Sequence, residues 1–278
     1  MLNVPGISEL STVAFSATTA LNCLSAGTCV VGGYYATSPG PGYADQLNDF
    51  IVSESNGVWA RPVTLTGTIL GIVTSLSCSS AGNCAAALGI GDVPTGVGPP
   101  YDGPAVATER SRSWGPAVPV PGTTPGGKFE SGATSLSCRA NGDCVIGGSY
   151  SPGTSTQAFV ATEVDGSWRA AVTFPGIAKL NAGRTAQVTS VACASAGNCV
   201  AGGSYLDRWN DSRPFLVMDS GGHWGAPITV PGLPVASTPF PASAAINAVS
   251  CPAIGRCDAA GVHYYSWKQQ EAFVVSQG

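Results

Sequence analysis

Three features of the sequence predict an all-β repeat protein: five evenly spaced cysteine pairs, a tryptophan recurring after an apolar run, and abundant, dispersed chain breakers. The 278 residues include 37 glycines and 21 prolines spread along the whole chain. That density leaves no room for long helices and suits many short strands. The ten cysteines form five C-x5-C pairs: Cys23 with Cys29, Cys78 with Cys84, Cys138 with Cys144, Cys193 with Cys199, and Cys251 with Cys257. Their first members lie 55, 60, 55 and 58 residues apart. Each pair brackets a short turn with a glycine two positions before the second cysteine: Gly27, Gly82, Gly142, Gly197 and Gly255. A tight hairpin needs the positive φ that glycine supplies there.

A second landmark follows in every unit. An apolar run opens at Phe50, Ala105, Phe159, Phe215 and Phe273, and nine residues later stand Trp59, Trp114, Trp168 and Trp224 in the first four units. Asn56-Gly57, Asp165-Gly166 and Gly221-Gly222 lie between run and tryptophan, as strong two-residue hairpin signals. That register sets Glu54, Glu109, Glu163 and Asp219 opposite the four tryptophans. One unit therefore reads as four antiparallel strands. Strand a ends at the first cysteine, b starts at the second, c is the apolar run, and d opens at the tryptophan.

Four antiparallel strands repeated radially make a β-propeller blade. The expected fold is all-β: one five-bladed β-propeller over residues 1–278, with one disulfide inside each blade. The repeats fall at roughly 16–73, 74–133, 134–188, 189–246, and 247–278 together with 1–15. The last unit stops before its strand d, while Leu2-Asn3-Val4-Pro5-Gly6 reads like the end of one. The N- and C-terminal segments are thus expected to close the ring, Leu2 to Val4 pairing with Phe273 to Gln277 and removing two open edges. A solenoid is the alternative.

Leu76-Ser77-Cys78, Leu136-Ser137-Cys138 and Val249-Ser250-Cys251 resemble the Ser-x-Ser-Cys…Cys-x-x-x-Gly propeller repeats common in secreted actinobacterial proteins. The resemblance spans essentially the whole chain. It implies the propeller fold and no one activity.

C-x5-C pairs serve as disulfides or as metal ligands. With two histidines, His223 and His263, and no C-x-x-C spacing, zinc is poorly supported. Facing hairpin positions are close enough for disulfides, each contributing about 2–2.5 kcal/mol by loop-closure entropy. Five bridges belong to an oxidising compartment, so an extracellular, secreted protein is expected. Met1 to Gly6 show no basic or apolar leader pattern, and the expectation is that an export signal has been removed or lies outside this sequence. Charged residues make up 10% of the chain and the net charge is −4, which speaks against nucleic acid as a partner. No apolar run reaches the length of a membrane span, so no membrane insertion is expected.

Function is expected where the repeats diverge. The a–b and c–d turns are short and alike, whereas the b–c loops and d–a connections differ in every blade and share one face. Loops raised on a rigid scaffold commonly carry binding residues. The fourth b–c loop offers Tyr205, Asp207, Arg208, Trp209, Asn210 and Asp211; the first offers Tyr43, Asp45, Asn48 and Asp49. The second offers Tyr101 and Asp102, and the fifth Tyr264, Tyr265, Trp267 and Gln269. Aromatic faces beside Asp, Asn and Gln suit a sugar, whose C–H face stacks while its hydroxyls find planar polar groups.

The leading expectation is a lectin-like module binding a glycan or cell-surface polysaccharide. The alternative is a protein-interaction scaffold within a larger secreted assembly, and a propeller hydrolase or lyase comes third. Solvated polar loops with Tyr and Trp covering strand edges would serve no ligand at all. Asp45, Asn48 and Asp49 are too few for a dedicated calcium site. The recurrent Glu54, Glu109, Glu163 and Asp219 repeat with the fold, which favours structural work over catalysis. No nucleophile elbow, zinc-protease or phosphate-loop motif occurs, and no cofactor or catalytic residue is assigned.

Overall fold

The computed structural model describes residues 4–11, 13, 15–37, 47–67, 71–89, 103–123, 131–139, 142–233, 243–266 and 269–277. These residues form an all-β structure apart from two single-turn helices, α1 (Ile7–Leu10) and α2 (Ile177–Leu180). The first unit is an antiparallel meander of β1 (Ser16–Ser25), β2 (Thr28–Ala36), β3 (Leu47–Ser55) and β4 (Val58–Trp59). The second comprises β5 (Ile72–Ser80), β6 (Asn83–Gly89), β7 (Ala105–Arg110), β8 (Ser113–Trp114) and β9 (Val118–Pro119). The third comprises β10 (Gly132–Cys138), β11 (Cys144–Tyr150), β12 (Gln157–Val164) and β13 (Ser167–Trp168). The fourth comprises β14 (Ala186–Ser195), β15 (Asn198–Leu206), β16 (Ser212–Ser220), β17 (His223–Trp224) and β18 (Ile228–Thr229). The fifth comprises β19 (Ser243–Ala253), β20 (Arg256–Ser266) and β21 (Gln269–Ser276).

The local expectations hold residue by residue. Every a–b turn places its glycine in the left-handed region, from Gly197 at φ 66° to Gly142 at φ 94°. The c–d turns hold both central residues there, including Ser111 and Arg112 where no glycine is present (φ 51° and 67°), as a twisted two-residue hairpin requires. Glu54, Glu109, Glu163 and Asp219 stand opposite Trp59, Trp114, Trp168 and Trp224.

All five C-x5-C pairs are disulfides, with Cα atoms 3.9–4.2 Å apart. Cys23 is bonded to Cys29, Cys78 to Cys84 and Cys138 to Cys144. Cys193 is bonded to Cys199, and Cys251 to Cys257. The sulfurs also serve as packing. Cys193 and Cys199 join the core between the third and fourth units, and Cys251 and Cys257 the core between the fourth and fifth.

The core lies between units rather than within them. Val145, Ala158 and Val160 of the third unit pack with Val188, Tyr205, Phe215 and Val217 of the fourth, and each earlier and later seam repeats the arrangement. Such close stacking needs small residues on strand b. A Cβ on Gly147 would sit 2.6 Å from Val188 Cγ1 and 2.7 Å from Val191 Cγ2.

Hydrogen bonds lace the same seams. Thr74 Oγ1 donates to the Ala133 carbonyl at 2.6 Å, and Thr134 Oγ1 to the Val188 carbonyl at 2.6 Å. Thr19 and Thr189 make the same bond to Val73 and Ile246. The Ser-x-Ser pairs before the first cysteines accept in return. Ser75 and Ser77 take the Leu136 and Cys138 N–H groups, and Ser135 and Ser137 take those of Val191 and Cys193.

Ring closure is where the structure departs from the sequence expectation: it shows stacked sheets, not a closed five-bladed ring. Leu2 lies outside the described residues, and Val4, Ile7 and Leu10 pack on Tyr35, Phe50 and Val52 of the first unit. The equivalent Phe174-Pro175-Gly176-Ile177 segment likewise packs forward, onto the fourth unit. Among the described residues β21 pairs with β20 alone. Gly6, at φ 76°, turns the chain into α1, and the apolar Ile7 and Leu10 of that turn are covered by the unit that follows.

Candidate functional site

Strands b and c of the fourth unit stay in register from Val200 opposite Met218 to Leu206 opposite Ser212, so the loop between them rises from a well-paired hairpin. Asp207 organises it. Its Oδ1 accepts the backbone N–H groups of Trp209 (2.9 Å) and Asp211 (3.0 Å), and its Oδ2 accepts Arg213 Nε at 3.1 Å. The same guanidinium donates to Asp211 Oδ2 at 2.9 Å. Asn210 takes the left-handed conformation, φ 62°, that a short side chain tolerates. The loop is therefore stiff, yet its tip is bare: Trp209 is 64% exposed, and Arg208 stacks on its ring with Cζ 3.8 Å from the centroid.

Beside this loop runs the connection from the third unit. Gly183 N–H donates to the Leu206 carbonyl at 2.9 Å, and the Arg184 carbonyl accepts Thr156 N–H at 2.8 Å. A groove of about 200 Å³ opens there, lined by Thr154, Gln157, Asn181 and Arg184 among others. Asn181 donates through Nδ2 to the Thr156 carbonyl (3.3 Å), while its buried Oδ1 has no partner among the described residues. These groove residues escape a sequence reading. Asn181 and Arg184 lie on the d–a connection after a Pro-Gly turn, and Thr154 and Gln157 on the third b–c loop, with nothing local to mark them as convergent.

The other sequence-derived candidates scatter. Tyr205 is buried, its ring 6.4 Å from that of Phe215. Burial pushes its hydroxyl pKa up, with Asp207 adding to the effect and Arg213 opposing it. Asp49 is 2% exposed and accepts Leu65 N–H at 2.8 Å, so its carboxylate is occupied internally, and Asn48 lies in β3 opposite Tyr35. Tyr264 and Tyr265 lie in β20, Tyr264 exposed, and Gln269 opens β21 exposed. Tyr43, Asp45, Tyr101, Asp102 and Trp267 lie outside the described residues.

The cysteines take no part in the loop site. All ten are bonded, and Cys199 and Cys257, at the starts of the fourth and fifth b strands, are buried against their neighbours. Among the described residues no group of His, Cys, Asp and Glu is placed to hold a metal ion. Among the described residues no helix is long and apolar enough to cross a membrane.

The recurrent acids sit in the seams on the opposite face. Glu163 accepts Arg110 of the preceding unit at 2.5 Å. Asp219 is held by the backbone N–H groups of Gly222 and His223 in its own turn. Burial raises the carboxyls of Glu109, Glu163 and Asp219 above their ordinary range, in each case outweighing the nearby positive charges or hydrogen bonds.

No family model and no curated protein matches this chain. Among solved structures, a protein of unknown function from Dyadobacter fermentans aligns with a TM-score of 0.52 at 13% identity, over 92% of this chain and 74% of that one. A polysaccharide lyase described as an ulvan lyase aligns at 0.46 and 11%, over 90% and 69%. An α-L-arabinofuranosidase from Podospora anserina aligns at 0.39 and 9%, over 95% and 92%. Identities this low bear on the fold alone.

Proposed function

We propose that the chain is a carbohydrate-recognition module built of propeller-type blades. It reads a glycan or cell-surface polysaccharide where the third and fourth units meet. One observation carries the reading: a tryptophan 64% exposed on a loop that four hydrogen bonds hold rigid. Arg208 covers one face of the indole, and the exposed remainder offers a stacking surface to a sugar ring. A preset aromatic platform lowers the ordering cost of binding. Asp207, Asp211 and Arg213 are consumed in holding the platform, so the sugar hydroxyls fall to Gln157, Asn181 and Arg184 in the adjoining groove. With five disulfides, the module works outside the cytoplasm.

The experiment is Trp209→Ala, read by glycan array, titration and thermal unfolding. Losing the stacking weakens binding about 2- to 12-fold and leaves the melting temperature in place. An array on which wild type binds nothing would turn the Trp209–Arg208 platform into a contact for another secreted protein, since Trp and Arg dominate such contacts.

A second reading, a glycan-cleaving enzyme, draws on the two buried carboxyls Glu109 and Glu163, which line a common pocket of about 250 Å³. Glycoside cleavage uses paired carboxyls, one of them protonated. Arg110 already holds Glu163, which leaves Glu109 as the acid. Release of reducing ends from a polysaccharide panel, abolished in Glu109→Gln, is what this reading requires.

A further inference from the structure

Two adjacent seams differ in how they treat the same positions. Where the second unit meets the third, Arg110 donates to Glu163, and the Trp168 indole N–H donates to Thr108 Oγ1 at 3.2 Å. One seam earlier, the repeat puts Ser55 in the place of Arg110, Ser53 in the place of Thr108, and Glu109 and Trp114 in the places of Glu163 and Trp168. Neither cross-unit bond forms there. Glu109 is 3% exposed, and its Oε2 has no hydrogen-bond partner among the described residues, nor has Trp114 Nε1. The seam opens instead into a groove of about 440 Å³ whose wall includes Glu54, Ser55, Glu109 and Trp114.

A buried carboxylate oxygen without a donor is costly, because its hydration is lost and nothing replaces it. Asp219, one methylene shorter, turns one oxygen onto the backbone N–H groups of its own turn and keeps only its Oδ1 without a partner among the described residues, and Glu163 meets Arg110. Glu109 does neither. Two positive side chains also line the groove, Arg61 and Arg112. Arg61 pairs with Glu9 at 3.1 Å, and the stem of Arg112 lies along the a–b turn, where a Cβ on Gly82 would meet its Cγ at 2.5 Å. Arg112 draws the Glu109 carboxyl down without offsetting its burial, and no ion pair joins the two among the described residues.

We propose that this groove binds an organic cation, a guanidinium or primary ammonium group, which takes the place against Glu109 that Arg110 fills against Glu163. Glu54 supplies a second carboxylate on the wall, and the Trp114 indole offers a polarisable surface that cations favour. The same chemistry comes from two sources, an arginine- or amine-bearing peptide and an amino sugar. The inference stands apart from the glycan reading at Trp209, which involves other units and the other face.

The test titrates arginine amide, glucosamine and uncharged N-acetylglucosamine into wild type, Ser55→Arg, Glu109→Gln and Trp209→Ala. Ser55→Arg introduces the guanidinium the repeat carries one unit later; it is expected to fill the groove and raise the melting temperature. Wild type and Trp209→Ala are expected to bind one or both cationic probes at millimolar concentration and not the neutral one. Ser55→Arg and Glu109→Gln are expected to bind at least tenfold more weakly. Preference for arginine amide identifies a peptide-type ligand, and preference for glucosamine an amino sugar. No cation binding to wild type, undiminished binding to both groove variants, or loss in Trp209→Ala would overturn the proposal; the last outcome alone would place the cation at the glycan site.

Discussion

Leu21 and Leu76 occupy the same position of the same repeat, each on strand a and two residues before the first cysteine of its pair. Leu76 is 6% exposed and Leu21 is 62% exposed. The other end of the stack shows the same contrast on strand c. Ile51, Val106, Val160 and Leu216 are at most 9% exposed, whereas Val274, in the equivalent register, is 79% exposed. The repeat pattern thus marks a side chain for burial, but only a neighbouring unit performs it. The hydrophobic gain belongs to the seam, as in other repeat architectures where stability is a sum of interface terms.

Breaking a seam measures that gain. Leu136→Ala, in an inner seam, is expected to cost about 2–5 kcal/mol because it removes buried methyl groups and leaves a cavity. Leu21→Ala is expected to stay within about 0.5 kcal/mol, as exposed substitutions do. Denaturant unfolding of the two variants checks both. A large loss at Leu21 would show the first unit covered in solution, and the contrast between inner and end faces would collapse.

The hydrogen-bonded part of the seam is smaller. Ser135→Ala strands the Val191 N–H, which the serine hydroxyl accepts at 2.9 Å, and should cost about 1–3 kcal/mol. Ser250→Ala, on the exposed face of the fifth unit, is expected to stay within about 0.5 kcal/mol. Equal effects would mean that Ser135 acts within its own strand rather than across the seam.

The smallest effect concerns pH. Glu109, Glu163 and Asp219 bind protons more tightly in the folded chain, chiefly through burial. Their contribution is fullest below the unfolded carboxylate pKa and is lost as pH rises through their raised folded values. Thermal unfolding followed from acid towards neutral pH should therefore show this component of stability falling, and Glu109→Gln should flatten the fall and raise the melting temperature at neutral pH. The fifth unit already carries an amide, Gln277, at the equivalent position. An unchanged pH profile in Glu109→Gln would show that its carboxyl is solvated in the folded state.

Much of the unit was legible before folding. The glycine turns, the cysteine pairing from Cys23 with Cys29 through Cys251 with Cys257, and the Glu–Trp registers are contacts between residues a few positions apart, and turn chemistry dictates them. The candidate site was legible in part. Trp209 could be singled out as a bulky apolar residue in a polar loop, but the same loop chemistry did not distinguish Tyr205, which turns inward onto Phe215, or Asp211, which is spent on Arg213. Side-chain direction at a strand end depends on the last paired residue, and that is set by the partner strand. Gln157, Asn181 and Arg184 carried no local mark, because they converge only when the connection leaving the third unit folds back against that unit's own b–c loop.

Local sequence dictates the content of each unit: where strands start, which residues face each other across a turn, and which sulfurs join. Those relations span six residues at the disulfides, within reach of local backbone preference. Packing between units then settles which apolar positions are covered, which acids find a donor and where a groove remains. Those outcomes depend on partners 53 to 61 residues away, such as Arg110 for Glu163 and Ser75 for Leu136. At that distance a one-residue difference between neighbouring repeats, Ser55 where the next carries Arg110, accompanies a buried acid without a donor in one seam and with one in the next.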